Sequence, residues 1–203
     1  MSKCFYAVKE GRKIGVYKTW SECEGQVKGY SGAVYKKFTN LEEAENFIYG
    51  NEEKIKEKNL ASIRENEIIA YVDGSFDIAS RSYSYGVVLF TIEGKVTYAE
   101  KEQDKDLVEM RNVAGEIRGA MVAMEKALSL GKDILYLHYD YMGIEKWAKG
   151  DWKANKYGTQ SYRDYYNSIK DKLNVIFIKV LAHSGDKYND EADKLAKEAL
   201  GIN

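Results

Sequence analysis

The chain has 203 residues, of which 44% are hydrophobic and 31% are charged, and its formal net charge is −1. This length allows one or two domains with a packed core, and the composition is typical of a globular protein. No apolar run approaches the roughly 18 residues of a membrane span, and the first residues lack the apolar stretch of a secretion signal, so no membrane association is expected. Cys4 and Cys23 fit neither a disulfide framework nor a zinc motif, which favours reduced thiols and a cytoplasmic location.

The first 50 residues have the pattern of a small α+β domain. Its predicted elements run strand, strand, helix, strand and helix, at residues 4–8, 14–17, 22–28, 33–38 and 41–48. Thr19 or Ser21 could cap the first helix. Residues 51–66 are predicted to form a linker, although a short solvated helix is equally compatible with their charged beginning.

Basic and aromatic residues occur together in this first domain. Residues 1–38 carry eight basic and three acidic side chains, although the whole chain is close to neutral. Rings such as Trp20 and Tyr35 are interleaved with the basic residues. Basic groups contact phosphates and flat rings pack on sugars or bases, so the pattern favours a nucleic-acid surface. A solvated basic face around a small aromatic core is the alternative that the pattern leaves open.

Residues 67–203 have the pattern of a mixed α/β domain. Three strands are predicted as an antiparallel meander, at residues 68–74, 85–92 and 95–100. The elements predicted after them are a helix, a strand, two helices, a strand and a last helix, at residues 114–130, 134–140, 142–148, 160–172, 175–180 and 190–200. A helical crossover favours a fourth strand parallel to the first, so the ends of these two strands should meet at one edge of the sheet.

Four acidic residues stand where this pattern predicts burial. Asp73 and Asp140 follow the apolar runs of the first and fourth strands. Glu116 shares the alanine stripe of the long helix, and Asp193 borders the apolar stripe of the last helix. An unpaired acid at such a position is costly unless a cation compensates it. We therefore expect a divalent metal ion to compensate all four acids together.

The first domain is similar to a known family. The matching segments are GVYKTWSEC at 15–23, QV at 26–27 and AVYKKF at 33–38. They resemble the hybrid-binding domain, also called viroplasmin-like, found at the N-terminus of many type 1 ribonucleases H. The resemblance implies that Trp20 and Tyr35 form an aromatic surface for the DNA strand and that Lys36 and Lys37 hold phosphates beside it. Through this domain the chain is expected to bind double-stranded nucleic acid, RNA–DNA hybrid in particular.

The second domain resembles the ribonuclease H domain throughout. The matching segments are YVDGS at 71–75, NVAGE at 112–116, YD at 139–140 and HSGDKYNDEADKLA at 183–196. The resemblance implies a ribonuclease H-like fold, in which helices flank a five-stranded mixed sheet. It also implies an endoribonuclease that hydrolyses the RNA strand of RNA–DNA hybrids. The chain departs from many relatives at Tyr141, where they have Ser, and at Leu181 and Ala182, which replace a Lys-Gly pair.

By this resemblance the four acids are catalytic residues and metal ligands. Asp73 would bridge two Mg²⁺ ions, for which Mn²⁺ could substitute, while Glu116 and Asp140 would bind one ion and Asp193 the other. Carboxylate oxygens suit Mg²⁺, and two metal ions can activate a water and stabilise the leaving oxygen, which would give 3′-hydroxyl and 5′-phosphate ends. His183 would assist proton movement or product departure.

Recognition of the RNA strand is assigned by the same resemblance to Asn112 and Asn189, which would contact its 2′-hydroxyls. Asn112 could also cap the long helix. Residues 146–157 combine basic and aromatic side chains. They either grip the DNA strand or anchor a helix to the core through Trp147 and Trp152.

Two functions of other classes fit part of the pattern, and both are kept as alternatives. One is a non-catalytic hybrid-binding protein whose acids are structural, which the presence of Asp73 and Glu116 argues against. The other is a different nuclease of the ribonuclease H-like fold, which the first domain and the loop of His183 argue against. His138 has no motif partner and is predicted to be a packed or an edge residue of its strand. We expect a monomer.

Overall fold

The computed structural model describes residues 4–49, 60–180 and 186–202. The chain divides into two compact units, Met1–Lys58 and Asn59–Asn203. The beginning of the predicted linker, residues 51–59, lies outside the described residues, and so does the solvated helix considered for it. Among the described helices, none combines the length and the apolar character that crossing a membrane requires.

The first unit contains a three-stranded antiparallel sheet in which β1 lies between β2 and β3. Side chains alternate between the two faces of a strand, so neighbouring residues of β1 enter different cores. Val8 packs with residues of the first helix, whereas Ala7 packs with residues of the second. This is the predicted small α+β domain, with elements β1 (Phe5–Glu10), β2 (Gly15–Tyr17), α1 (Trp20–Val27), β3 (Val34–Phe38) and α2 (Leu41–Tyr49).

Helix α1 begins with a capping box, which decides between the two caps that the sequence offered. The Thr19 hydroxyl accepts a hydrogen bond from the Glu22 amide at 3.3 Å, and the Glu22 carboxylate accepts one from the Thr19 amide at 3.0 Å. Each residue thus satisfies a backbone donor that a helix start leaves open. Thr19 is therefore the cap, Ser21 lies inside the helix, and the helix begins two residues earlier than predicted.

The second unit has the predicted mixed sheet of five strands, in the order β6-β5-β4-β7-β8. Strands β4, β5 and β6 are antiparallel, and β7 runs parallel to β4, as the helical crossover predicted. Strand β8 runs parallel to β7. The elements are β4 (Glu67–Asp77), β5 (Ser82–Thr91), β6 (Gly94–Glu102), α3 (Asn112–Ser129), β7 (Ile134–Tyr139), α4 (Gly143–Lys149), α5 (Tyr157–Ile169), β8 (Asn174–Lys179) and α6 (Lys187–Leu200).

Strand β4 continues past its predicted end at residue 74, and β5 begins before its predicted start at residue 85. The ladder continues past Gly74 to a pair between Asp77 and Ser82. The Asp77 carboxylate then accepts hydrogen bonds from the amides of Ala79 and Ser80, at 3.1 and 2.9 Å, and so forms the turn. Asp, Gly and Ser have low strand propensity, which is why the sequence pattern ended the strand too early.

Helices α3 and α6 cover opposite faces of the sheet. On β5, Tyr85 and Val87 point towards Gly119 of α3, whereas the Ser84 hydroxyl donates to the carbonyl of Ala196 in α6 at 2.6 Å. The two helices therefore contact alternate residues of the same strand. Both carry a predicted site residue, and the sheet lies between them.

Candidate functional site

Three of the predicted acids come together at one end of the sheet. Asp73 lies in β4, Asp140 directly follows β7, and Glu116 lies in the second turn of α3. One carboxylate oxygen of each lies within 4.8 Å of those of the other two. The parallel register, in which Tyr71 pairs with His138, brings the two aspartates to the same level. Asp73 is 9% exposed and Glu116 is 4% exposed, so the cluster is largely shielded from water.

Glycine allows α3 to approach the sheet closely enough for Glu116 to join the cluster. A Cβ at Gly74 would lie 2.3 Å from the Glu116 amide nitrogen, and a Cβ at Gly115 would lie 1.9 Å from the carbonyl oxygen of Ser84. Neither position can hold a larger residue without moving the helix. The glycines of the two motifs therefore have a packing role that brings the acids together.

The cluster is electrostatically strained without a cation. Burial raises the pKa of Asp73 to about 7, the Asp140 charge adds to the rise, and a hydrogen bond from the Gly74 amide opposes it. Burial also raises the pKa of Glu116 to about 9, with further contributions from Asp140 and Asp73. Desolvation and like charges both favour the protonated acid, so the metal-free cluster holds protons at neutral pH. A bound dication would favour the ionised form.

Asp193 differs from the other three acids. It lies in α6 and does not belong to the group within 4.8 Å, although its charge contributes to the raised pKa of Asp73. Its Oδ2 lies 2.7 Å from Nζ of Lys197, one helical turn away. Asp193 therefore has a lysine partner within its own helix. The sequence offered a signal for the pair, since Asp and Lys four residues apart share a helix face.

The close approach of α6 to the sheet brings Asp193 towards Asp73. Gly86 is the ladder partner of Asp73, and a Cβ there would lie 2.0 Å from the carbonyl oxygen of Ala192. The Asp186 carboxylate caps the helix by accepting from the amides of Tyr188 and Asn189. Helix α6 thus begins three residues before its predicted start.

His183 lies outside the described residues, and so do Leu181 and Ala182. The assignment of His183 to proton movement therefore stays a prediction. The other histidine, His138, is packed as predicted, since it is 6% exposed and its ring stacks on Tyr71 with centroids 4.1 Å apart.

The two asparagines predicted to contact RNA lie in different environments. Asn112 is exposed and is the first residue of α3. The helix cap is Arg111, which makes no side-chain capping bond, so the alternative that Asn112 caps the helix is wrong. Asn189 is 3% exposed, and its Oδ1 has no hydrogen-bond partner in the part of the chain that the structure describes. Contact between Asn189 and a hydroxyl would need a rearrangement.

Aromatic rings extend from the acid cluster into residues 146–157. The ring centroids of Tyr141 and Trp147 are 5.7 Å apart, and those of Trp147 and Trp152 are 6.0 Å apart. Trp147 packs against the core, whereas Trp152 is 41% exposed. Beside them lies a cavity of about 310 Å³, whose lining includes Lys153 and Lys156. Trp147 therefore anchors its helix to the core. The exposed ring of Trp152 and the two lysines are compatible with contact to the DNA strand, which stays a prediction.

In the first unit, Trp20 and Tyr35 form an exposed aromatic pair. Their ring centroids are 5.8 Å apart and their exposures are 44% and 45%. Lys37 lies on the same side, with its Nζ 5.8 Å from the ring centroid of Tyr6. Strand alternation places Lys36 on the opposite side, over the ring of Phe38. The structure thus brings Lys37, but not Lys36, next to the two predicted rings.

Solved structures that share the fold of the second unit include ribonucleases H. The RNase H1 of Halobacterium salinarum NRC-1 superposes with a TM-score of 0.55 at 24% identity, over 66% of this chain and 98% of that one. LC11-RNase H1 in complex with RNA/DNA hybrid superposes with a TM-score of 0.50 at 15% identity, over 66% of this chain and 99% of that one. These comparisons define a ribonuclease H-like fold.

Sequence comparison then defines the family. Residues 65–201 match the family described as RNase H, and residues 4–48 match the Ribonuclease H1 N-terminal domain. The chain therefore belongs to the ribonuclease H family, which is a family of nucleases.

Its relatives include full-length ribonucleases H of eukaryotes. Human Ribonuclease H1 is 26% identical over an alignment of 254 positions, which spans 96% of this chain and 88% of the human protein. The Ribonuclease H of Schizosaccharomyces pombe is 25% identical, with 96% of each chain covered. That of Saccharomyces cerevisiae is 57% identical over 44 residues, and this match spans 22% of this chain and 13% of the yeast protein.

Proposed function

We propose that this protein is an endoribonuclease that hydrolyses the RNA strand of RNA–DNA hybrids and leaves 3′-hydroxyl and 5′-phosphate ends. The observation that carries the proposal is the buried cluster of Asp73, Glu116 and Asp140, in a chain of the ribonuclease H family. A solved relative in complex with RNA/DNA hybrid supports the choice of substrate.

The donor set of the cluster fits a hard divalent cation. Its ligand atoms are carboxylate oxygens, which Mg²⁺ prefers and for which Mn²⁺ also has affinity. Asp73, Glu116 and Asp140 would hold one ion, and Asp73 with Asp193 would hold a second. When bound, two such ions supply an activated water and neutralise the charge on the leaving 3′ oxygen.

The protein residues contribute position and electrostatics to this reaction. The two strands and α3 hold three carboxylates within 4.8 Å before any substrate arrives, so little reorganisation is needed at the moment of reaction. Burial of Asp73 and Glu116 removes these two carboxylates from most of the water and strengthens their interaction with cations. His183 would accept or donate a proton from its loop, because imidazole titrates near neutral pH.

The first unit is proposed to tether the enzyme to its substrate. The exposed rings of Trp20 and Tyr35 could pack on sugars or bases, while Lys37 contacts a neighbouring phosphate. The described part of this unit contains no cluster of three potential metal ligands. The chemistry therefore belongs to the second unit.

A cleavage assay with defined ends tests the proposal. The full chain should cut end-labelled hybrid in Mg²⁺, leave double-stranded and single-stranded RNA intact, and lose activity in EDTA. Asp73→Asn and Glu116→Gln should each lower kcat by orders of magnitude and leave hybrid binding in place. Products with 2′,3′-cyclic phosphates, or full activity in EDTA, would contradict the mechanism. Tight binding of hybrid without cleavage under all metal conditions would favour the non-catalytic alternative.

A further inference from the structure

Lys197 provides a cation beside the acid cluster. Its Nζ lies 2.7 Å from Oδ2 of Asp193, and the two side chains are 41% and 29% exposed. The charges of the pair act on the acid cluster, since Lys197 lowers the pKa of Asp73 and Asp193 raises it. The pair thus connects electrostatically to the same carboxylate that would bridge two metal ions.

A second ion pair on the same helix has the same spacing and a different environment. Lys194 and Glu198 are also four residues apart, but their closest atoms are 3.5 Å apart and their side chains are 74% and 51% exposed. Neither residue contributes to the raised pKa of Asp73 or Glu116. The shorter and less exposed pair is the one beside the acids.

We propose that Lys197 is an internal counter-ion of Asp193 that competes with the second divalent cation and so sets the metal affinity of the site. The inference rests on the proposed function. A carboxylate oxygen that accepts a hydrogen bond from an ammonium at 2.7 Å must give up that donor, or share its charge, when a metal binds it. A dication at Asp193 also repels the ammonium group. The flexible stem of lysine and its partial exposure allow Lys197 to swing into water when the ion arrives.

The role is one of positioning, because Lys197 acts through Asp193 and not on the substrate. In the metal-free protein the ammonium keeps the Asp193 carboxylate in place and neutralises part of the acidic charge. Without the ammonium group, the carboxylates should repel one another more strongly in the metal-free protein and bind a metal ion more tightly. A variant that lacks Lys197 should therefore be less stable without metal and have a higher metal affinity. Loss of an ion pair with a structural role alone would lower the stability and would not raise the metal affinity.

The experiment is a calorimetric titration of the full chain with Mn²⁺ and with Mg²⁺, without nucleic acid. The variants are Lys197→Met, Lys197→Arg and the matched control Lys194→Met, which removes the same charge from an exposed lysine that pairs with Glu198 and not with Asp193. Lys197→Met should tighten the weaker binding step about fivefold, the size expected when a partly exposed pair no longer competes. Lys197→Arg and Lys194→Met should bind metal as the wild type does. In EDTA, Lys197→Met should melt below the wild type, and saturating Mg²⁺ should remove the difference.

The possible outcomes separate this inference from the proposed function. If the wild type binds metal in a way that Asp73→Asn abolishes, and Lys197→Met binds with unchanged affinity, the competitor role is wrong while the metal site stands. If Lys197→Met instead weakens hybrid binding in EDTA with metal affinity unchanged, Lys197 is a phosphate contact and the inference is overturned. If the wild type binds no divalent cation at the acids, both the metal mechanism and the competitor role fail.

Discussion

Holding Asp73 and Glu116 close together lowers the stability of the folded protein as long as no metal ion is bound. Their pKa values are raised to about 7 and about 9, mainly by burial and then by neighbouring carboxylates. The free energy that holds them together therefore comes from packing elsewhere, such as the glycine contacts between α3 and the sheet. Such strain is typical of sites that are preorganised for a cation.

The first prediction concerns stability and pH. A carboxyl with a raised pKa binds its proton more tightly in the folded state, so the metal-free protein should lose stability as pH rises from about 4 through 7 towards 9. Acids with lowered pKa values, such as Asp77 and Asp151, are already ionised above about pH 5 and do not change over this range. Asp73→Asn removes one of the titrating groups. In EDTA at pH 8 we expect it to melt about 2–4 °C above the wild type.

The measurement is the melting temperature between pH 5.5 and 8.5, in EDTA and in saturating Mg²⁺. The wild type should decline with pH in EDTA and decline less in Mg²⁺, because the ion binds the ionised acids. Asp133→Asn serves as a control, since Asp133 precedes β7 at the end of the strand opposite Asp140, and its carboxylate accepts a hydrogen bond from Asn66. A wild-type melting temperature that is flat in EDTA would mean that the acids are not strained.

The second prediction concerns two adjacent lysines of β3. Lys37 lies on the side of Trp20 and Tyr35, and Lys36 lies on the opposite side. Lys37→Ala should weaken hybrid binding and reduce the slope of log affinity against log salt by about one. Lys36→Ala has the same charge change and is the matched control, with a smaller effect on both. Affinity measured at four or five salt concentrations checks this, and equal effects would mean that the hybrid reaches both faces of the strand.

At the scale of elements, periodicity predicted the helices and strands but not all of their ends. The antiparallel meander of β4, β5 and β6 was predicted from the turns between these strands, and the parallel pairing of β4 with β7 was predicted from the crossover helix. Both are confirmed. The sequence pattern placed the start of α6 too late because its N-cap, Asp186, follows Ser184 and Gly185, and Ser-Gly pairs are typical of loops. Helix α5 was placed three residues late, because its amphipathic pattern begins in a segment of mixed polarity. Local capping bonds decide these ends, and periodicity alone does not report them.

The third prediction tests the contact between α6 and the sheet. A Cβ at Gly86 would lie 2.0 Å from the Ala192 carbonyl oxygen and 2.9 Å from the Ala196 amide, both backbone atoms, so the helix must move. Gly86→Ala should lower the free energy of unfolding by about 1–3 kcal/mol. It should also weaken divalent-ion binding, because Asp193 moves with the helix.

Gly119→Ala in α3 is the control for this change. Its nearest neighbours would be side-chain carbons at 3.4 Å, and alanine improves helix propensity, so we expect a change within about 1 kcal/mol. Urea unfolding and a Mn²⁺ titration of both variants provide the measurements. Normal metal affinity in a destabilised Gly86→Ala protein would show that the position of α6 does not limit the site.

At the scale of the whole molecule, the sequence was sufficient to predict the cluster of three acids but not the contacts that residues of α6 make. Motif order and strand parallelism were sufficient to bring Asp73, Glu116 and Asp140 to one place. The pairing of Asp193 with Lys197 and the burial of Asn189 depend on how α6 rotates against the sheet. That rotation is set by glycine and alanine contacts between distant segments, which periodicity within one helix does not encode.

The last prediction separates the two units by function. Among the residues that the structure describes, the hydrophobic core of the second unit begins at Ile68. Arg64 and Asn66 make backbone hydrogen bonds to Glu67 and to residues 133–134 of this unit, so a chain that begins at Asn59 should fold by itself. It should keep its turnover at saturating hybrid, because the acid cluster is complete. Its affinity for long hybrids should fall at least about tenfold, since a tether acts through effective concentration. Trp20→Ala with Lys37→Ala in the full chain should reproduce much of this loss and the shallower salt dependence.

Steady-state kinetics and hybrid affinity against salt, measured for the full chain, the truncated chain and the double variant, check the prediction. Equal affinities for all three would mean that the first unit binds a different partner, and a loss of turnover in the truncated chain would mean that it takes part in the reaction itself.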